Sequence, residues 1–158
     1  MKLVADVAPP SLGPVLDFLR LLWQVDHALQ RRSKRMSKEL GLTGPQRLVL
    51  RIVGRFPGLP AGELAALLHL HPSTLTGILA RLGRGGWLRR RADPRDRRRA
   101  LFGLTERGRA LDAADPLTIE AALLRVLERL PKKDVTSARA LLGALAAELE
   151  AGVETDGV

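Results

Sequence analysis

Apolar positions recur at helical spacing along most of the chain, most clearly in residues 72–84. At about 100° per residue, one side of this segment is apolar and comprises Leu75, Ile78, Leu79 and Leu82. The other side carries small, hydroxylated or basic residues, namely Ser73, Thr74, Thr76, Gly77, Ala80, Arg81 and Arg84. Pro72 suits the first helical position, because its missing N–H costs nothing there. The pattern predicts a helix that buries one face and presents the other to a partner.

A shorter apolar pattern comes just before this segment. Residues 63–70 place Leu64, Leu67 and Leu68 on one side and predict a helix, with a short turn leading into Pro72. Two helices joined by such a turn form a helix-turn-helix, whose second helix enters a DNA groove. Small and hydroxylated side chains let a helix approach base edges, and arginines at its end reach phosphates. A helix-turn-helix is therefore our first interpretation.

A β-hairpin is predicted directly after the second helix. The first strand is predicted at 87–91, the loop at 92–97 with its bend at Asp93-Pro94, and the return strand at 98–104. The period-2 spacing of a half-buried strand is clear on the return strand, where one face comprises Ala100, Phe102 and Leu104.

Arginine is concentrated on this hairpin. Between Arg81 and Arg99 the chain carries nine arginines and two acids. A charge run is commonly solvated surface, but here the cations crowd a turn, where self-repulsion is unfavourable without an anion nearby. The whole chain has 26 Lys and Arg against 17 Asp and Glu, a formal net charge of +9. Both features favour a nucleic acid as partner, and a basic hairpin after a recognition helix is the layout of a winged helix.

The hairpin and the residues after it resemble the wing of the MarR family of bacterial transcription regulators. In that family a Gly-hydrophobic pair opens the wing, an Asp-x-Arg tip follows, and the return strand closes in Leu-Thr-x-x-Gly. The corresponding residues here are Gly86-Trp87, Asp96-Arg97-Arg98 and Leu104-Thr105-Glu106-Arg107-Gly108. A helix-turn-helix alone would be a weak match, but joined to this wing the match is specific. The resemblance extends over residues 12–149.

The resemblance implies a homodimeric regulator that binds a palindromic operator in double-stranded DNA. It implies repression, released when a ligand changes the spacing of two recognition helices that must lie about 34–36 Å apart to enter the groove together. It further implies that Asp96 holds a wing arginine in place while Arg98, helped by Arg97, enters the minor groove, where narrow A·T-rich stretches attract arginine. The helix residues expected to contact DNA are Ser73, Thr74, Thr76, Gly77, Arg81 and Arg84.

One long helix is predicted before the helix-turn-helix. Residues 15–40 contain neither Gly nor Pro, and Gly41 ends the helix. Its basic stretch, 31–35, is interpreted as a solvated face in preference to a second DNA contact. Its apolar positions are Leu12, Val15, Leu16, Leu19, Leu22, Trp23 and Leu29. The next helix begins at Thr43 or Gly44 and is predicted to bury Val49, Ile52, Val53 and Phe56.

Further helices are predicted after the wing. Thr105 caps the first, which runs to about residue 130 and is bent or broken at Asp115-Pro116, because proline removes a backbone hydrogen bond. Pro131 ends it. The last helix, 134–151, has an apolar seam of Val135, Ala138, Leu141, Leu142, Leu145 and Leu149.

The terminal helices carry more Leu and Ala than one small domain can bury. A two-fold homodimer is the commonest way to cover such surface, and the family resemblance implies a dimer joined through these helices. The predicted fold is mainly α with a small β-hairpin wing. We assign 11–44 as a dimerisation helix, 45–108 as the winged helix-turn-helix and 109–151 as further dimerisation helices. Residues 1–10 and 152–158 are predicted to be flexible tails.

A small-molecule site is also predicted. Trp23 and His27 lie at i and i+4, hence on one face of the first long helix. Such a pair is most often core packing with a satisfied imidazole. In the MarR family, however, a ligand pocket lies where the first helix, the helix beginning near Pro45 and the helix after the wing converge. Trp23 with His27, Arg47 or Arg51 would suit a small aromatic or phenolic acid.

Other classes of function find little support in the sequence. The absence of Cys excludes thiol chemistry and disulfides. His69 and His71 are two apart and do not face one point on a helix, so neither a metal site nor a cofactor is expected. No P-loop or G-x-S-x-G motif is present, and an enzyme is not expected. No apolar run reaches the roughly 20 residues of a membrane span, and no signal peptide is recognised, so we expect a cytoplasmic, nucleoid-associated protein.

Two alternative functions share these features. A DNA-coating protein of low specificity would have the same charge, but its specific and non-specific affinities would differ little. A winged-helix interaction module would use the wing to bind an acidic protein and would bind no duplex. Competition by random DNA separates the regulator from the first alternative, and failure to bind any duplex would favour the second.

Overall fold

A computed structural model of the chain describes residues 12–113 and 115–151. The predicted mainly α fold with a β-hairpin wing is confirmed. The tails predicted at 1–10 and 152–158 lie outside the described residues. In chain order the elements are α1 (Gly13–Leu40), α2 (Gly44–Arg55), α3 (Ala61–Leu68), α4 (Pro72–Arg84), β1 (Leu88–Ala92), β2 (Ala100–Leu104), α5 (Glu106–Asp112), α6 (Ile119–Leu127) and α7 (Lys132–Ala151).

Local sequence signals set the ends of the first helices. Gly41 ends α1 in the left-handed region, at φ 76°, and donates its N–H to the Ser37 carbonyl. Of the two predicted starts of α2, Thr43 is the N-cap: its hydroxyl accepts from the Gln46 N–H, while the Gln46 side chain accepts from the Thr43 N–H. Pro72 opens α4, as predicted. None of the described helices is long and apolar enough to cross a membrane.

One hydrophobic core joins α2, α3, α4 and the hairpin. The predicted apolar face of α4 is confirmed, since none of its four side chains is more than 8% exposed. Burial of this face leaves the opposite face of α4 in solvent. The core residues contributed by the other elements and by the connection between α1 and α2 are Leu42, Val49, Leu50, Val53, Leu64, Ala65, Leu88, Phe102 and Leu104.

The predicted burial of Phe56 is wrong. Its side chain is 47% exposed, because α2 ends at Arg55 and the Phe56 backbone leaves the helix with φ −129°. The ring lines an open cleft of about 650 Å³ beside the wing. On α2 the core takes Leu50 instead, and Arg47 is buried as well.

The predicted burial of Leu67 is also wrong, and helix geometry explains why. The buried residues of α3 are Leu64 and Ala65, and Leu68 is half-buried against them. At about 100° per residue these three positions span one sector, which leaves Leu67 on the side facing away from the core. Leu67 is accordingly 50% exposed.

The two strands pair antiparallel, with Leu88 opposite Leu104 and Ala92 opposite Ala100. The first strand begins and ends one residue later than predicted, and the return strand is two residues shorter. The tip loop therefore comprises residues 93–99, which we call the wing tip.

The return strand is more deeply buried than the predicted alternation implies. Leu101 and Phe102 point to opposite faces, yet both are only 9% exposed. Pro60, just before α3, forms an isolated antiparallel bridge with Leu101 and so lies along the free edge of the return strand. The base of the wing is thus held against α3 through the backbone.

The basic stretch at 31–35 is only partly the solvated face that was predicted. Arg32 and Ser33 are half-buried. The Arg32 guanidinium donates to the Pro116 carbonyl at 2.7 Å, and the Ser33 hydroxyl accepts from the Gly44 N–H at 2.7 Å. These bonds tie the middle of α1 to the start of α2 and to the segment before α6.

The break predicted at Asp115-Pro116 is confirmed, because the helix after the wing is divided into α5 and α6. The last helix begins at Lys132, two residues earlier than predicted. The chain divides into two compact units, with the boundary between Ile119 and Glu120. The winged helix-turn-helix lies in the first unit.

Candidate nucleic-acid interface

The solvent-facing side of α4 carries the residues that the sequence assigned to DNA contact. Gly77 sits in the middle of this side, and a Cβ built there would meet nothing within 4 Å. The packing of the protein therefore does not require glycine at this position. The absence of a side chain at Gly77 leaves the helix backbone accessible on the exposed face of α4, which allows a partner surface to approach it closely. The predicted contact residues of α4, all exposed, are Ser73, Thr74, Thr76, Gly77, Arg81 and Arg84.

The first turn of α4 is fixed by side-chain bonds that the sequence analysis missed. The His71 Nδ1 atom accepts from the Ser73 N–H at 3.3 Å and lies 2.7 Å from the Ser73 hydroxyl, so His71 is the N-cap. The Thr76 hydroxyl donates to the Pro72 carbonyl at 2.8 Å. Both hydroxyls retain lone pairs that can accept further bonds. The signal was present in the sequence, since the residue before a first-turn proline is the N-cap position.

The two histidines of the turn occupy neighbouring helix ends. His69 ends α3 in the left-handed region, at φ 49°, and His71 begins α4. The described ranges contain no group of three His, Asp or Glu side chains that could hold a metal ion. These histidines shape the turn between the two helices.

The wing tip is closed by its own hydrogen bonds. The Asp93 N–H donates to the Arg99 carbonyl at 3.0 Å, and the Arg99 N–H donates to the Asp96 carbonyl at 2.9 Å. The Asp96 carboxylate accepts from the Arg98 N–H at 3.0 Å and pairs with the Arg98 Nε at 3.3 Å. The Arg98 side chain remains 92% exposed. Asp96 thus restrains the base of Arg98 while its guanidinium projects into solvent.

A second ion pair links the wing tip to α3. The Arg99 Nη2 atom lies 2.8 Å from the Glu63 Oε1 atom, and both side chains are about half exposed. The sequence analysis did not predict this contact. The two residues are 36 positions apart and share no helical or strand periodicity, so no local pattern could have indicated it.

Packing and hydrogen bonds explain why glycine and threonine occupy the signature positions at the base of the wing. A Cβ on Gly108 would overlap the main-chain carbonyl of Trp87. The Thr105 hydroxyl donates to the Gly86 carbonyl at 2.7 Å and accepts from the Gly108 N–H at 3.0 Å, which caps α5. Gly86 itself has φ 71°, a conformation that glycine adopts without strain. These bonds fix the angle between the wing and α5.

The predicted effector residues fall into two groups. Trp23 is 64% exposed, and the His27 Nδ1–H donates to the Trp23 carbonyl at 2.9 Å. Arg47 and Arg51, by contrast, both donate to backbone carbonyls at the end of α5: Arg47 to those of residues 111 and 113, and Arg51 to that of Asp112. Arg51 also pairs with the Asp112 carboxylate at 2.9 Å. A ligand site that combines the two groups stays a prediction.

These features define the class of protein. A helix with one buried face and one polar exposed face follows a short turn, and an arginine-rich antiparallel hairpin comes directly after it. This arrangement is a winged helix-turn-helix, the fold of a DNA-binding protein.

Comparison with known proteins identifies the family. The profile of the MarR family matches residues 40–99. An HTH-type transcriptional repressor of Mycobacterium tuberculosis is 34% identical over 110 residues, which cover 70% of this chain and 79% of that protein. The chain therefore belongs to the MarR family and is a DNA-binding transcription regulator. Members of this family are regulators, not enzymes.

Solved structures of similar proteins agree with the fold. The PcaV transcriptional regulator of Streptomyces coelicolor, determined with its natural ligand, has a TM-score of 0.67 at 28% identity; the match covers 80% of this chain and 89% of that one. A mutant MarR of E. coli complexed with operator DNA has a TM-score of 0.66 at 25% identity, covering 86% of this chain and 99% of that one.

Proposed function

We propose that the protein is a repressor that binds a palindromic operator as a homodimer and releases it when a small ligand binds. The observation that carries the proposal is the division of α4 into a buried face and a smooth polar face that ends in arginine. In this function Thr74, Thr76 and Gly77 approach base edges in the major groove, with Ser73 at the start of the helix. Arg81 and Arg84 contact DNA at its far end.

The wing supplies the second DNA contact in this proposal. Arg98 enters the minor groove, with Arg97 beside it, and Asp96 limits the directions that Arg98 can take. The 92% exposure of the Arg98 side chain and its short tie to Asp96 support this assignment. Narrow A·T-rich minor grooves have the most negative potential, so we expect such a stretch at each outer end of the operator.

Exposed apolar side chains support a homodimer. On α1, Val15 is 77% exposed and Leu16 56%; on α7, Leu142 is 52% exposed and Leu149 64%. Several exposed apolar side chains on one helix mark an interaction site, and a two-fold dimer is the commonest way to cover such surface. We assign this role to 11–44 and 109–151, with 45–108 as the DNA-binding part.

Repression and ligand response rest on similarity and on the chemistry of four side chains. The M. tuberculosis relative is named a repressor, and PcaV was crystallised with its natural ligand. The ligand class proposed is a small aromatic or phenolic acid, for which Trp23 offers a ring and His27, Arg47 and Arg51 offer donors.

The test of the proposed function begins with selection of an operator from a library of random duplexes. A palindromic consensus that is bound by two protomers and competes far better than random DNA is expected. Arg98→Ala should weaken binding to this operator by roughly 1–3 kcal/mol without changing the fold, because it removes a groove contact at an exposed position. Equal competition by random DNA would favour the coating protein. Failure to bind any duplex would favour the interaction module.

A further inference from the structure

We propose that Glu63 is a positioning residue for DNA binding, which fixes the wing tip against α3 by pairing with Arg99. The inference rests on the proposed function, in which Arg98 of the wing tip enters the minor groove. An acid on a surface that meets phosphates opposes binding by its charge. Glu63 would contribute through geometry: by pairing with Arg99, it sets where the neighbouring Arg98 lies.

The contacts of the wing tip support this role. The base of the wing is held through the backbone, because Pro60 bridges to Leu101. This bridge is at Leu101, and Ala100 lies between it and the wing tip. Within residues 12–113 and 115–151, the wing-tip residues form hydrogen bonds and ion pairs only with one another, apart from the pair between Arg99 and Glu63 at 2.8 Å. Glu63 is thus the polar anchor of the tip on the helical part of the domain.

The restraint on Arg99 reaches Arg98 over a short path. The Arg99 N–H donates to the Asp96 carbonyl, and the carboxylate of the same Asp96 holds the Arg98 N–H and Nε. Since Arg98 and Arg99 are also adjacent in the chain, a shift of Arg99 must move Arg98. Glu63 itself lies in the first turn of α3, where the helix dipole stabilises a carboxylate. The charge of Glu63 is therefore tolerated at this position by α3 itself.

Loss of Glu63 should have two opposing effects. The tip would lose its anchor, which lowers the affinity for the operator. A negative charge would disappear and Arg99 would be released towards phosphates, which raises the affinity for any duplex. The measurement that separates the effects is the ratio of operator affinity to random-duplex affinity. Because both partners are about half exposed, we expect a modest fall in this ratio, roughly 2- to 5-fold.

The experiment compares Glu63→Gln with wild type on the selected operator and on a random duplex, over a range of salt concentrations. The ratio should fall while Tm stays close to that of the wild type. Glu106→Gln is the matched control: Glu106 is also an exposed carboxylate in the first turn of a helix, and it does not touch the wing tip. It should shift both affinities by one factor and leave the ratio unchanged. The same behaviour in Glu63→Gln would overturn the inference, since it would reduce Glu63 to a surface charge.

The Arg98→Ala background tests whether Glu63 acts through Arg98. There, Glu63→Gln should change the ratio no further, because the positioned side chain is absent. An undiminished effect in that background would contradict the inference. If Arg98→Ala weakens operator binding but Glu63→Gln leaves the ratio alone, the positioning role fails and the proposed minor-groove contact stands. If Arg98→Ala has no effect on operator binding, both the positioning role of Glu63 and the proposed minor-groove contact fail.

Discussion

Arg47 is expected to be a stabilising residue whether or not a ligand binds near it. Its side chain is 2% exposed, and the guanidinium donates to the carbonyls of Leu111 and Ala113. Both carbonyls lie at the C-terminal end of α5, where no following helical N–H is available to them. Arg47→Met keeps most of the apolar stem but removes both hydrogen bonds.

The expected loss of stability in Arg47→Met follows from these contacts. A hydrogen bond from a charged donor contributes about 1.5–3 kcal/mol, and two are lost. Part of this is offset, because the desolvation of a buried guanidinium also disappears. We therefore expect Arg47→Met to lower the free energy of unfolding by about 3 kcal/mol. For a chain of this size that corresponds to a fall in Tm of about 6–12 °C.

The assay is thermal or denaturant unfolding of wild type, Arg47→Met and Arg51→Met at one protomer concentration, without ligand. Arg51 is the matched control, because it lies one turn further along α2 and donates to the same segment, yet its side chain is 45% exposed. An exposed pair contributes at most about 1 kcal/mol, so Arg51→Met should change Tm by a few degrees at most. Equal shifts in the two variants would refute the reasoning. An unchanged Tm in Arg47→Met would show that these two hydrogen bonds do not stabilise the fold.

Three further predictions follow from contacts and exposure. Gly108→Ala should destabilise the fold by about 2 kcal/mol or more, because its Cβ overlaps a main-chain carbonyl, whereas Gly77→Ala should stabilise α4 by about 0.5–1 kcal/mol; similar denaturation midpoints would contradict this. Replacing Leu142 and Leu145 with Glu should dissociate the proposed dimer, measured by light scattering, and a monomeric wild type at micromolar concentration would end the claim. Titration with salicylate and related acids should quench Trp23, in a variant lacking the other tryptophan, together with release of operator; release without a response from Trp23 would move the site elsewhere.

The recognition helix could be predicted from sequence because its structure is decided locally. Four apolar residues at helical spacing, with Pro72 at the start, define both the helix and the face that it buries. The same reasoning failed at Phe56, since periodicity continues past the point where the backbone leaves the helix. It failed at Leu67 because three small or apolar neighbours fixed the buried sector on the other side. Local patterns thus predict which segments are helical better than where each helix ends and which of two apolar sectors is buried.

Long-range polar contacts were beyond prediction for a different reason. From the sequence, Arg47 was interpreted as a cation that would suit an anionic ligand. Its partners are backbone carbonyls more than 60 residues away, and a carbonyl leaves no mark in the sequence. The ion pair of Glu63 with Arg99 had the same difficulty. The arginines of the wing were recognised by their number, but their individual contacts depend on the folded positions of distant elements.

The same contacts connect the proposed ligand site to the proposed dimer. Arg32 of α1 and both Arg47 and Arg51 of α2 donate to carbonyls of residues 111–113 and 116, at the end of α5 and before α6. If the proposed ligand binds near α1 and α2, its carboxylate would compete for these guanidinium donors with the carbonyls of that segment. Loss of one such bond changes the free energy by about 1.5–3 kcal/mol. A tenfold shift in DNA occupancy requires only about 1.4 kcal/mol of difference between two states. Exchange of a single guanidinium hydrogen bond is therefore large enough to couple ligand binding to the helices that the proposed dimer uses.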